Sequence, residues 1–104
     1  MPGIDYAEVR LRIPMAEVLR LIGFRAVESH GDELRGPCPV HGSASPRSRS
    51  FAVNAEINRF QCFKCGAKGN QLDLWVGVSK LPLFEAARDL CEKAGIDVPE
   101  VRRL

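Results

Sequence analysis

Cys38-Pro39-Val40-His41-Gly42 and, beyond twenty intervening residues counted from His41, Cys62-Phe63-Lys64-Cys65-Gly66 are two copies of one small pattern. In each, two metal-binding side chains stand two residues apart and glycine follows at once. That spacing lets a tight turn aim both side chains at a single ion, and two such turns supply the four ligands of tetrahedral zinc. The trailing glycines suit an exit residue with positive φ or a close approach of the backbone to the metal-bound atoms. With all four positions filled by protein, no coordination site is left for an activated water, which argues against a hydrolytic zinc enzyme.

Two other readings of the cysteines are weaker. A thioredoxin-like Cys62-x-x-Cys65 redox pair expects a βαβ setting and leaves Cys38 and His41 unexplained. A disulfide framework needs an oxidising compartment, and a Cys62–Cys65 bridge closes a strained short loop. The reading is therefore one structural Zn2+ held by Cys38, His41, Cys62 and Cys65. The remaining cysteine, Cys91, falls on the apolar stripe Leu83, Ala87, Leu90, Cys91 and Ala94 and is expected in the core, whereas His30 lacks a partner at ligand spacing and is expected on an exposed loop.

Outward from the ligand pairs, Ser50 to Asn54 alternates as a strand, Asn54 to Asn58 turns the chain, and Arg59 to Cys62 returns as a paired strand. Phe51 and Val53 then share one face, and Arg59 and Gln61 lie on the face opposite to that of Phe60 and Cys62. Leu34-Arg35-Gly36 adds a short strand after the turn-rich segment Glu28 to Glu33. Upstream, Tyr6 to Arg12 reads as a short helix, and Pro14 to Gly23 as an amphipathic helix of about two turns. Downstream, Asn70 caps a helix through Leu72, Leu74, Trp75 and Val78, and Pro82 starts a last helix ending at Gly95. Leu72, Trp75, Leu83 and Leu90 are expected to pack these helices on the hairpin, and the tail from Val98 to Leu104 to fray. The fold class is thus α+β: a small zinc ribbon flanked by N- and C-terminal helices. As a single domain, 1–104 divides into helical entry 1–33, ribbon 34–69, C-terminal helices 70–95 and tail 96–104.

With 104 residues, 45% hydrophobic and 27% charged, the chain fits one domain with a thin core that gains much from a metal. No secretory signal or membrane-spanning run is read, so the expectation is a cytoplasmic protein with reduced cysteines and no membrane partner. A net charge of +2 hides an asymmetry: from Arg35 to Lys68 stand six basic residues, Arg35, Arg47, Arg49, Arg59, Lys64 and Lys68, against the single acid Glu56. Basic side chains mixed with Phe60 and Phe63 suit single-stranded nucleic acid, where cations track phosphates and rings stack on bases. Solvated surface charge around core phenylalanines, or a protein-contact surface, accounts for the same composition.

Taken together, Cys38-Pro39-Val40-His41, the strand Ser50-Phe51-Ala52-Val53 and Cys62-Phe63-Lys64-Cys65-Gly66-Ala67-Lys68-Gly69-Asn70 resemble the Cys-His-Cys-Cys zinc-binding domain of bacterial DnaG-type DNA primases. The resemblance runs from Ile13 to Gly95. It implies a zinc ribbon that recognises single-stranded DNA template for primer synthesis, beside a separate polymerase domain of a DNA-directed RNA-synthesising nucleotidyltransferase. It implies the same four zinc ligands and a template-facing surface, for which charge and position favour Arg47, Arg49, Arg59, Phe60, Lys64 and Lys68. Implied partners are single-stranded DNA and a primase polymerase domain or helicase in trans. The alternative is a structural zinc-ribbon adaptor for protein–protein contact with a polymerase or helicase. Two departures stand out. Ser45-Pro46-Arg47-Ser48-Arg49-Ser50-Phe51 carries three residues more than the family's usual Thr-Pro-Ser-Phe. No catalytic acidic cluster is read, so primer synthesis is expected to need another domain.

Overall fold

The structure, a computed structural model, describes residues 3–43 and 45–101. Helices α1 (Tyr6–Arg12) and α2 (Met15–Ile22) lead into strands β1 (Glu28–His30), β2 (Glu33–Gly36), β3 (Phe51–Asn54), β4 (Arg59–Cys62) and β5 (Lys68–Gly69), followed by helices α3 (Gln71–Ser79) and α4 (Leu83–Ala94). The strands form one antiparallel meander in the order β1-β2-β3-β4-β5. This is the expected α+β zinc-ribbon architecture.

Register decides which side chains enter the core. Leu34 lies opposite Val53, Val53 opposite Phe60, and Phe60 opposite Gly69, while Gly36 faces Phe51 and Phe51 faces Cys62. Directly opposed residues share a face, so these rows form the inner surface, on which the helices pack. Phe24, Phe51 and Phe60 stand in a row of rings there, with centroids 5.3 and 5.5 Å apart. Val9, Ile13, Met15, Val18, Leu72, Leu74, Trp75 and Leu90 close over them. Cys91 is buried as expected.

Three polar devices fasten the helices to this layer. Asn58, in the left-handed region at φ 54° in the β3–β4 turn, accepts the Met15 N–H at 2.9 Å, so a residue 43 positions away caps α2, whose preceding Pro14 has no side-chain acceptor. Gln71 is buried, and its Nε2 donates to the carbonyls of Arg10 at 3.0 Å and Ile13 at 3.2 Å, binding the end of α1 to the start of α3. Trp75 Nε1 donates to Asp89 at 2.9 Å, and Lys93 pairs with the other oxygen of the same carboxylate at 2.9 Å. That pair, with the indole bond, holds the Asp89 carboxyl below its usual range.

Several expectations are corrected. Glu28 to Glu33 is a β-hairpin rather than a loop, and exposed His30 sits on its first strand. The edge strand β1 has no apolar side to bury, which is why no alternation marks it. Leu83 does not pack on the hairpin: it is 45% exposed, because the first turn of α4 projects beyond the core. The tail is held as far as Val101. Asp5 N–H donates to Pro99 O and Val101 N–H to Gly3 O, both at 2.9 Å, around a bridge pairing Ile4 with Glu100. The end of the expected frayed segment, Arg102 to Leu104, lies outside the described residues.

Replacing Gln71 by alanine strands two carbonyls at the α1–α3 junction without their donor. We expect a loss of about 1–3 kcal/mol in unfolding free energy, measured by denaturant titration, with zinc content unchanged.

Candidate metal centre and the open sheet face

The donor atoms of Cys38, His41, Cys62 and Cys65 all lie within 4.8 Å of one another. Cys38 Sγ is 3.9 Å from Cys65 Sγ, and Cys62 Sγ is 3.6 Å from His41 Nδ1. Zinc–sulfur bonds of about 2.3 Å and zinc–nitrogen bonds of about 2.0 Å at tetrahedral angles place sulfurs about 3.8 Å apart and sulfur about 3.5 Å from nitrogen. The four residues therefore fit one zinc ion, which would bind two thiolate turns into a single unit.

Each turn is built the same way. In the second, the N–H groups of Lys64 and Cys65 both point at Cys62 Sγ at 3.4 Å. In the first, the N–H groups of Val40 and His41 aim at Cys38 Sγ. The chain exits through Gly42 at φ 64° and Gly66 at φ 81°, the positive values expected from the sequence. Burial pushes the Cys38 thiol up to about 11, more than its two amides offset. At Cys62 burial also acts upward, but the amides of Cys65 and Lys64, together with hydrogen bonds from the Cys65 and Cys38 thiols, bring it down to about 6. A zinc ion holds such groups as thiolates. Cys91 belongs to a different environment, where burial alone raises its thiol.

The rest of the domain braces both turns. Lys80, at the end of α3, donates from Nζ to Val40 O at 3.1 Å, and Gly77 lets α3 approach Val40 so closely that a Cβ would lie 3.1 Å from its methyls. Beyond the second turn, Gly69 at φ 142° leaves space for Asp73, whose Oδ2 would sit 2.1 Å from an added Cβ. Asp73 accepts the Asn70 N–H, and Asn70 Oδ1 accepts the Leu72 and Asp73 N–H groups, a complete capping box for α3. The segment Gly66 to Asn70 thus joins the metal turn to a helix start without slack.

The sheet's other face is uncovered. Arg35, Ala52, Gln61 and Lys68 oppose one another across β2 to β5, and Glu33, Asn54 and Arg59 form the neighbouring row. Phe63, one residue beyond Cys62, is 63% exposed, and the Arg35 guanidinium lies over its ring at 5.2 Å. Arg59, Gln61, Phe63 and Lys68 line an open groove of about 330 Å3 with Glu33 and Asn54. Arg35 also donates to Arg49 O at 3.1 and 2.6 Å, and the Arg49 guanidinium pairs with Glu28 at 3.2 Å. The longer loop is thereby pinned to the β1–β2 edge.

Of the expected template-facing residues, Arg59 and Lys68 meet in this groove and Arg49 lies at its margin beside Arg35. Lys64 is exposed on the second metal turn and Arg47 on the loop. Phe60 is a correction: it is 5% exposed and stacked on Phe51, so its ring offers no face to a base. It shares the inward face with Cys62, whose sulfur must reach the metal, and that alternation was the available signal. Phe63 and Arg35, read from the sequence among the aromatic and basic residues of the ribbon, also stand on this open face.

A family model for the CHC2 zinc finger, the zinc ribbon of DnaG primase, matches residues 5–103. The chain belongs to this family. The CHC2 domain here is 36% identical over 83 residues to the DNA primase of Geobacillus stearothermophilus and 32% identical over 84 residues to that of Escherichia coli K12. These matches cover 79% and 80% of the chain but only 13% and 14% of the relatives. A crystal structure of the Aquifex aeolicus primase comprising zinc-binding and RNA polymerase domains superposes with a TM-score of 0.70 at 28% identity, covering 92% of this chain and 23% of that one.

Because metal-binding energy at such a site is folding energy, a strong chelator should abolish cooperative unfolding. Cys62→Ser should behave in the same way, whereas Cys91→Ala should retain zinc at one ion per chain by a colorimetric release assay. A Cys62→Ser protein that keeps both its zinc and its cooperative melt would overturn the ligand assignment.

Proposed function

We propose that this CHC2 domain recognises single-stranded DNA template for primer synthesis, as the template-binding module of a DNA primase or primase-like protein. The observation that carries the reading is the uncovered sheet face, where an exposed aromatic ring stands among Arg35, Arg59 and Lys68. A flat, basic β-surface with a stacking ring suits a strand whose bases are unpaired. A duplex hides its base faces and gains only the phosphate attraction. Arg47, Arg49 and Lys64 extend the basic field along the loop and the second metal turn. Family membership supports the same reading, since the relatives are named DNA primases.

In this role zinc is structural: it fixes the hairpin on which the binding side chains stand. The chemistry of primer synthesis belongs to a polymerase domain, and the solved relative carries an RNA polymerase domain beside its zinc-binding domain. A polymerase domain, with a replicative helicase nearby, is the partner proposed for this chain, and the cytoplasm its compartment. Among the described residues no helix is long and apolar enough to cross a membrane. The adaptor alternative draws no support from the comparisons.

Fluorescence anisotropy with single- and double-stranded DNA of one sequence tests the proposal. We expect the zinc-loaded domain to prefer the single strand, with a log–log salt slope of roughly −3 if about four phosphates are neutralised. Phe63→Ala should weaken single-strand binding about tenfold, and joint alanine replacement of Arg35, Arg59 and Lys68 should flatten the salt slope. No binding at low salt by zinc-loaded protein would refute the reading.

A further inference from the structure

Leu11 and Ile57 are two large apolar side chains left open to solvent, 77% and 60% exposed, and they stand on the two walls of one groove of about 450 Å3 between α1 and the β3–β4 turn. Single exposed apolar residues are ordinary on a protein surface, whereas a pair brought together marks a contact site. Arg10 and Arg59 flank the pair. No acidic side chain lines the groove, and among the described residues neither guanidinium pairs with a carboxylate. The polar groups of its floor are engaged inward: Asn58 accepts the Met15 N–H, Gln71 donates to the carbonyls of Arg10 and Ile13, and Asn70 caps α3. The same bonds fix the two walls relative to one another, so the shape is preformed and little ordering is needed on binding. What the groove offers is aliphatic surface between two positive charges.

We propose that this groove docks an acidic segment of a partner protein, with one apolar side chain laid between Leu11 and Ile57 and carboxylates on Arg10 and Arg59. Charge complementarity sets the sign of the partner, and the aliphatic walls set the kind of side chain that enters. A single nucleic-acid strand fits less well, because its bases use aromatic faces for stacking and no aromatic residue lines this groove. The exposed ring, Phe63, belongs to the groove on the uncovered sheet face. Arg59 lines both grooves, whereas Arg10 and Leu11 line this one and not the other. Substitutions at Arg10 and Leu11 therefore report on the docking groove separately from the sheet face.

The test titrates the zinc-loaded chain with a labelled peptide, Asp-Asp-Leu-Asp-Asp-Phe-Asp, and with a control in which serine replaces leucine and phenylalanine. The control should bind about tenfold more weakly, and added salt should weaken both. Leu11→Ser should weaken the first peptide about tenfold and Arg10→Gln about threefold, with zinc content and single-stranded DNA affinity unchanged in both variants. Phe63→Ala should leave peptide affinity as it is. Equal binding of the serine control reduces the groove to unspecific charge attraction and overturns the proposal. A peptide affinity that responds to Phe63→Ala and not to Leu11→Ser places the peptide on the sheet face and does the same. A loss of DNA affinity in Leu11→Ser as large as the loss for peptide makes the groove a continuation of the strand's path rather than a protein-docking site. No peptide binding at low salt also overturns it, while leaving the single-strand reading standing; peptide binding by a chain that binds no DNA has the opposite meaning.

Discussion

Everything else in this domain depends on four side-chain atoms converging within 4.8 Å from two turns separated by twenty residues. A core closed by one layer of short helices over a five-stranded sheet is thin for a chain of this size. The metal compensates by tying the end of β4 to the segment after β2, and this sets the register of the intervening hairpin. Once Cys62 is turned toward the ion, period-two alternation sends Phe60 inward and Arg59, Gln61 and Phe63 outward. One coordination choice thereby distributes the side chains of the whole ribbon between core and solvent.

Much of this was legible in the sequence because the signals are local. Ligand spacing with its trailing glycines, Phe51-x-Val53 alternation, Pro14 and Gly23 around α2, and Asn70 before α3 each act within a few residues, and each element stands where expected. What escaped depends on distant parts of the chain. β1 and β5 are short edge strands with little apolar patterning, so only their neighbours define them. The cap on α2 comes from Asn58, and the hold on the tail comes from Gly3 and Asp5, contacts no window of sequence contains. At the site, the metal ligands were readable in full. Phe60, expected on the exposed surface, is buried, and the inward direction of Cys62 already implied it.

The two faces of the sheet divide buried packing from exposure. Inward positions are committed to rings and thiolates, so substitutions there disturb the fold. Outward positions take no part in the buried core. Arg35 links the two layers of design: it lies over Phe63 and binds the Arg49 carbonyl, so the extra loop residues are anchored against the sheet edge rather than left to swing across the groove. Adding three residues to such a loop costs little closure entropy, since the penalty grows only with the logarithm of length.

The bridge between Ile4 and Glu100 has a geometric corollary. It brings both ends of the domain out side by side, and both arise from the helical layer rather than the sheet's uncovered surface. Polypeptide joined at either end would leave from one pole, so the ribbon could be carried as a pendant on a single stem. Rotation about that stem would sweep the open face through a range of orientations without straining any strand pairing.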